Sequence, residues 1–351
     1  MKNRILALSC LLILVLNMTG SAVADGSSKR KASAQANQLA ALLPASDGVV
    51  TIDVKRFFSV ALPKLLTSNQ PMLAKVTAQI DEMKAKTGID IRQFEYLAAG
   101  VTAKQIAGKE YDVDPVIIAR GQVSSGSLIG AAKLASNGKY KEEKAGDRTI
   151  YVFSTQDLAN EAKKQVPAVK DPAMVDKVIG KLSKDVAVTA IDANTIAFGD
   201  PVLVRQAVST AKTSVSSDLI SLLAKKETSV VNFAAKMPNG MSVFLPLEND
   251  ELGKNIDAIR YVYGNMDVAG EAMTMNVTAR TLQNAQATAL LETLEGLQLI
   301  GKALLGSGKG ADKQVYGRLI DNVKFSAKAN EVALDLSVPQ SDIDILVGML
   351  K

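Results

Sequence analysis

From Gly48 onward the chain alternates apolar and polar residues in short runs punctuated by Gly, Pro and Asn. GVVTIDV, residues 48–54, has the period of two expected of a half-buried strand. Phe57, Val60, Leu62 and Leu65 then recur at near-helical spacing. Pro71 opens a second helix with Leu73, Val76, Ile80 and Met83 on one face and Gly88 just past its end. Strands are predicted over 94–102 and 115–122, and a helix over 127–135. A hairpin follows, 139–144 with 148–153, turning at Ala145-Gly146-Asp147. In its second arm Tyr151 and Phe153 face one way and Ile150 and Val152 the other, so that strand belongs inside a sheet. Residues 157–165 and 173–182 read as helices. A second hairpin, 186–191 with 195–198, leads into a helix capped by Asp200 with Pro201 at its first position.

The rest of the chain repeats this plan. Strands are predicted over 230–235 and 242–245, and a hairpin over 260–268 and 272–279 through Ala269-Gly270. A long amphipathic helix carries Leu290, Leu294, Leu297 and Leu304. A shorter helix near 315–320, a hairpin of 323–327 with 331–336, and a last helix from Pro339 or Ser341 complete the pattern. ANTIAF (Ala193–Phe198) stands against ANEVAL (Ala329–Leu334), and a proline follows each, Pro201 and Pro339. We therefore expect an α+β fold: antiparallel sheet with helices packed on one face, in two repeats of a strand-strand-helix-strand-strand-helix unit. The expected units are 38–215 and 216–351.

Ahead of them, residues 1–24 have the features of a secretory signal peptide. Lys2 and Arg4 are the positive start, residues 5–16 form an apolar run too short to span a bilayer, and Ala22-Val23-Ala24 offers small residues for cleavage. Cleavage is expected between Ala24 and Asp25, with 25–37 as a flexible linker rich in Ser, Lys, Ala and Gly. Cys10 lies inside the apolar run and leaves with the signal. The mature chain then holds no cysteine, forms no disulfide and relies on a packed core. It is expected to be periplasmic or extracellular and to touch membrane only through the signal.

Composition narrows the chemistry. The 351 residues are 47% hydrophobic, 22% charged and 4% aromatic, with one Cys, no His and no Trp. Without His there is no Ser-His-Asp triad and no imidazole ligand for a metal. Loss of Lys2 and Arg4 takes the net charge from +5 to +3. The densest basic stretch, Lys139, Lys141, Lys144 and Arg148, is interrupted by Glu142 and Glu143. It reads as a solvated hairpin face, and no nucleic-acid partner is expected.

Candidate motifs fail on order or context. A Ser/Lys acyl enzyme needs Ser-x-x-Lys, then Ser-x-Asn, then Lys-Thr-Gly. Here Lys86-Thr87-Gly88 precedes Ser136-Asn137-Gly138-Lys139 and Ser209-Thr210-Ala211-Lys212. Gly306-Ser307-Gly308-Lys309-Gly310 lacks the Ser or Thr and the strand–helix context of a phosphate loop. The acidic groups Asp112 with Asp114, Glu142 with Glu143, and Glu248 with Asp250 and Glu251 lack calcium-loop spacing and read as solvated loops. Glu248–Glu251 is the best of these for a weak cation contact. No catalytic, metal or cofactor residue is assigned, and none of these types of ligand is expected.

Met is the exception. Met266, Met273 and Met275 fall in one predicted hairpin, with Met241 close in sequence. Adaptable Met side chains can line a groove for an apolar ligand, although core filling is their commoner use.

LLPASDGVVTIDV (42–54), TGIDIRQFEYLAAGV (87–101), PVIIARGQ (115–122), TIAFGDPVLVRQAV (195–208) and NVKFSAKANEVALDLSVP (322–339) together resemble a loose group of exported bacterial proteins of unknown function. The resemblance implies export and a duplicated α+β fold, and it brings no site residue. The sequence thus points to an exported non-enzymatic protein that binds a protein partner or serves structurally in the envelope. The alternative is a periplasmic carrier of a lipid or other apolar ligand.

Overall fold

A computed structural model describes residues 35–107, 110–136, 138–154, 185–209, 213–226, 229–238, 250–270, 272–305 and 311–349. The segment expected to be a signal peptide, with Ala24 and Asp25, the helices expected over 157–165 and 173–182, the strand expected over 242–245 and Met241 lie outside these residues.

Among the described residues twelve strands form one antiparallel sheet. They are β1 (Gly48–Asp53), β2 (Phe94–Ala107), β3 (Glu110–Gly121), β4 (Tyr140–Ala145), β5 (Arg148–Phe153), β6 (Val186–Asp192), β7 (Thr195–Gly199), β8 (Val231–Lys236), β9 (Ile259–Ala269), β10 (Ala272–Thr281), β11 (Lys324–Lys328) and β12 (Glu331–Pro339). Their order across the sheet is β11-β12-β10-β9-β8-β1-β2-β3-β7-β6-β5-β4. The fold is α+β, as expected. Two halves meet where β1 pairs with β8. With the β4–β5 hairpin set aside, the strand order outward from this seam is β1-β2-β3-β7-β6 on one side and β8-β9-β10-β12-β11 on the other.

The halves also correspond in detail. Arg120 Nε donates to Thr195 Oγ1 at 2.9 Å, and Arg280 Nε donates to Glu331 Oε1 at 2.8 Å, each pair being register partners on neighbouring strands. One residue on, the N–H of Gly121 donates to the carbonyl of Asn194 and that of Thr281 to Asn330. These are the two asparagines of the matching ANTIAF and ANEVAL segments.

The helices are α1 (35–40), α2 (Val54–Arg56, Phe57–Ala61 with π-type turns, and Leu62–Leu65), α3 (Gln70–Thr87), α4 (Ser125–Ala135), α5 (Pro201–Val208), α6 (Ser217–Leu223), α7 (Asp250–Asp257), α8 (Asn284–Leu305), α9 (Ala311–Asn322) and α10 (Gln340–Met349). Their starts follow local chemistry. Asp53 caps α2, Asn69 caps α3, and Asp200 caps α5 through Val202 N–H and Leu203 N–H. Gly88 ends α3 at φ 72°, in the left-handed region. Pro115 fits in β3 because β7 pairs with that strand only from Val116 onward, which leaves Pro115 at a local edge.

Helices cover both faces of the sheet, not one. The cause is visible in β3: Ile118 and Ala119 are both buried, yet successive strand residues point to opposite faces. Ile118, with Val49, Ala98, Ala197 and Ile150, packs under α1, α5 and α6. Ala119, with Ile196, packs under α4 through Val123 and Leu128. A strand apolar on both sides needs two covering layers.

Ile118 has no solvent exposure and stands at the centre of the larger core. Ile118→Ala is expected to lower the unfolding free energy by about 2–5 kcal/mol, as read from urea denaturation at constant slope.

Candidate functional site

The second half of the sheet is amphipathic from face to face. One face carries a polar row of register partners, Thr51–Asn232–Asn265–Asn276–Asp335, on β1, β8, β9, β10 and β12. Asn276 donates to Asp335, and Ser229 Oγ bonds Asn265 Oδ1 at 3.1 Å. In the first half the same row continues as Ala98, Ile118 and Ala197, which belong to the core.

The opposite face of the second half is apolar. Val231, Met266, Met275 and Leu336 form one row across β8, β9, β10 and β12. Phe233, Gly264, Val277 and Leu334 form the next, and Val268, Met273 and Val338 a third on β9, β10 and β12. The patch measures about 14 Å across the strands and about 13 Å along them. Gly264 lets the Phe233 ring lie across β9. A Cβ at that position would stand 2.8 Å from the Phe233 ring and 2.1 Å from the Asn276 carbonyl oxygen.

Helices pack at the margins of this wall. Phe57 and Ala61 of α2 pack at one side, against Val231, Met266 and Val268. Ala287 and Leu290 of α8 pack on Val332 and Ala279, and α7 adds Ile256. Helix α9 lies against β12 and α10. It is tied to α8 by Gln298, whose Nε2 donates to the carbonyls of Ile320 and Val323 at 2.6 and 2.9 Å. Arg318 on α9 donates twice to the buried Asp342 of α10, at 2.7 and 2.8 Å. Between these margins Met266, Met273, Met275, Val277, Leu334 and Leu336 are all half-buried. The corresponding face of the first half is closed by Ala119, Val123, Leu128 and Ile196, all buried. Partial exposure of so many apolar side chains on one inward face is what a ligand-accepting wall requires.

Three of the four methionines singled out by sequence therefore share a face: Met266 and Met275 are register partners, and Met273 stands two residues along β10. The neighbours Phe233, Val277, Leu334 and Leu336 were legible only as strand residues. Their signal is the alternation AMTMNVTA in β10 and VALDLSV in β12, apolar on the wall side and mostly polar on the other.

The remaining candidates are dispersed. Ser136 and Ser209 end α4 and α5, and Gly88 ends α3, so the Ser/Lys motifs occupy three separate helix C-termini. Asp114 pairs with Lys104 at 3.1 Å, Glu142 with Lys133 at 3.1 Å, and Glu143 with Arg205 at 2.7 Å. Asp250 and Glu251 open α7, while Glu248 and the 306–310 glycine run lie outside the described residues. Among the described residues no group of three His, Cys, Asp or Glu is placed to hold a metal ion. No helix among them is long and apolar enough to cross a membrane.

No protein-family model matches the chain, and no curated protein does. Among solved structures it is similar to TP0453. Crystal form III gives a TM-score of 0.43 at 8% identity, covering 89% of this chain and 97% of that one. Crystal form IV gives 0.41 at 7% identity, covering 88% and 95%. Crystal form I gives 0.41 at 8% identity, covering 89% and 96%. Both measures are low, so the chemistry of the site rests on this chain's own residues.

Among the described residues one carboxyl departs upward from its ordinary range. Burial pushes Asp53 up, against the lowering effect of the Arg56 N–H it caps and of the Arg56 and Lys55 charges, and the charge of Asp267 adds to the rise. Burial, then the charges of Asp53 and Glu95, pushes the Tyr96 hydroxyl up to about 12. The cap explains why an acid stands at position 53. Asn accepts the same N–H bond without the buried charge. An acid whose folded pKa lies above its unfolded value costs stability once it ionises, so the wild type loses stability as pH rises from about 4 through the folded pKa. Asp53→Asn is expected to remove that loss. Its urea midpoint should exceed the wild-type value at neutral pH, with the difference vanishing at or below pH about 4.

Proposed function

We propose that this protein is an exported, non-enzymatic binding protein of the cell envelope, and that its ligand is apolar and lies on the methionine wall of β8, β9, β10 and β12. The supporting observation is the contrast between the halves: one sheet face closed by buried residues, the corresponding one lined by half-buried Met, Val and Leu with helices at its margins. On this reading the two halves are copies of one ancestral unit, and the second copy has given up core filling for ligand space. Export is inferred from the signal-like first 24 residues. The absence of His and of mature Cys supports a binding role rather than catalysis.

The magnitude is adequate. Each buried methylene contributes about 0.8 kcal/mol, so a chain of about ten contributes about 8 kcal/mol before the cost of association. That sets micromolar dissociation constants as the upper range of affinity for a single chain. Met suits such a site because its unbranched thioether refits to chains of differing shape.

A second reading has its own observation. Leu299, Ile300 and Leu304 of α8 and Tyr316 of α9 are 68%, 57%, 73% and 45% exposed. Large apolar residues gathered on one helical pair favour contact with a protein partner.

The experiment is titration with a dye whose emission rises in apolar surroundings. Wild-type protein is expected to bind it saturably. Met275→Asp and Leu336→Asp should each weaken binding by about tenfold or more, because a carboxylate cannot be desolvated against the chain. Met266→Leu, which conserves volume, should change it little. Dye binding that ignores Met275→Asp in a folded variant would move the ligand off the wall and favour the partner reading.

A further inference from the structure

We propose that the ligand of the wall is a long-chain carboxylate, a fatty acid, whose head group sits on Lys64. The inference rests on the binding reading above and names its ligand class. Phe57 and Ala61 of α2 pack against Met266 and Val268, and Lys64 follows Ala61 on the same helical stripe. The stripe that borders the wall therefore ends in an ammonium.

Lys64 is half-buried, and its Nζ donates to the carbonyl of Gly270 in the turn between β9 and β10. Val268 and Met273, register partners on the wall, stand two and three residues from Gly270. That is a separation of about 7–10 Å along the strands. The cation thus sits at one end of the apolar patch.

Its charge is not neutralised by any carboxylate among the described residues. Two acids lie near that end, and the hydrogen bonds and ion pair given for them are to groups other than Lys64. Asp344 of α10 receives Ser68 Oγ on Oδ2 at 2.6 Å and Gln340 Nε2 on Oδ1 at 2.8 Å. Asp267 pairs with Arg56 at 2.7 Å. An ammonium has three N–H donors, and the Gly270 carbonyl uses one. Its other N–H groups stand at an exposed position, where a carboxylate can accept from them. One positive charge balances a single negative charge, which favours a carboxylate over a doubly charged phosphate.

Calorimetric titration of the purified protein with dodecanoate and with 1-dodecanol tests this. Lys64→Gln is expected to weaken dodecanoate by about tenfold or more, the loss of one charge-assisted contact, and to leave 1-dodecanol within about twofold. Lys64→Arg should keep dodecanoate binding. Equal dodecanoate binding by Lys64→Gln and wild type overturns the head-group assignment while leaving the wall intact. Loss of both probes in Lys64→Gln also overturns it, because the lysine then only supports α2. If wild-type protein binds neither probe, the wall itself is not a ligand site and the assignment falls with it.

Discussion

The ladder between β1 and β8 is the constraint on which the rest of the molecule depends. Its register runs from Gly48 opposite Ala235 to Ile52 opposite Val231. Through it two sheets become one of twelve strands. Both faces of the ladder are occupied, which fixes its register. Val49 and Ala234 point into the larger core, while Val50, Ile52 and Val231 point toward α2. A slip of one residue would exchange these sets and place Thr51 and Asn232 against Phe57. The seam also brings α2, an element of the first half, onto the wall of the second. The candidate site is thus built across the joint, with α2 and its Lys64 supplied by one half and the methionines by the other.

Beyond the seam the halves solve one packing problem differently. In the first, both faces of β3 and β7 are apolar and both are covered, so the side chains close up. In the second, the Thr51-to-Asp335 row makes one face more polar, and Thr51, Asn232, Asn265 and Thr278 on it are buried while the methionines of the opposite face are half-buried. There α7 and α8 pack at the Val332 and Ala279 end of the sheet, and α9 and α10 lie against β12. They meet one another through defined polar contacts: Gln298 to the end of α9, and Arg318 to Asp342. Such contacts tie the helices to one another beside apolar residues that remain half-buried. Ordinary core packing would bury these residues completely, as it does at Ile118, Val204 and Leu219.

Much of the fold was legible because its signals are local. Alternation or a short apolar run between turn residues marks the described strands, and the cap at Asp200, the proline after it and the stop at Gly88 follow from residue type. The ANTIAF and ANEVAL segments fall on equivalent hairpins. The second covering layer was less visible: a strand such as VIIAR is apolar throughout, and periodicity does not say how many layers it needs. The site was half visible. Three methionines could be placed on one face by parity along β9 and β10. Their neighbours on β8 and β12 depend on strand order, which is a property of the whole chain. Lys64 carried no signal, since LPKLL reads as any amphipathic turn. It gains meaning only when Gly270, far along the sequence, is folded beside it.

The central claim is that the second half holds an apolar ligand where the first half holds its own side chains. Native mass spectrometry of the protein purified from its own host tests it most directly, with gentle dissociation followed by extraction. The account predicts a released mass of lipid size, bound one to one and lost in Met275→Asp. A protein that flies empty, with no adduct released on denaturation and the same mass as the variant apart from the substitution, would contradict it.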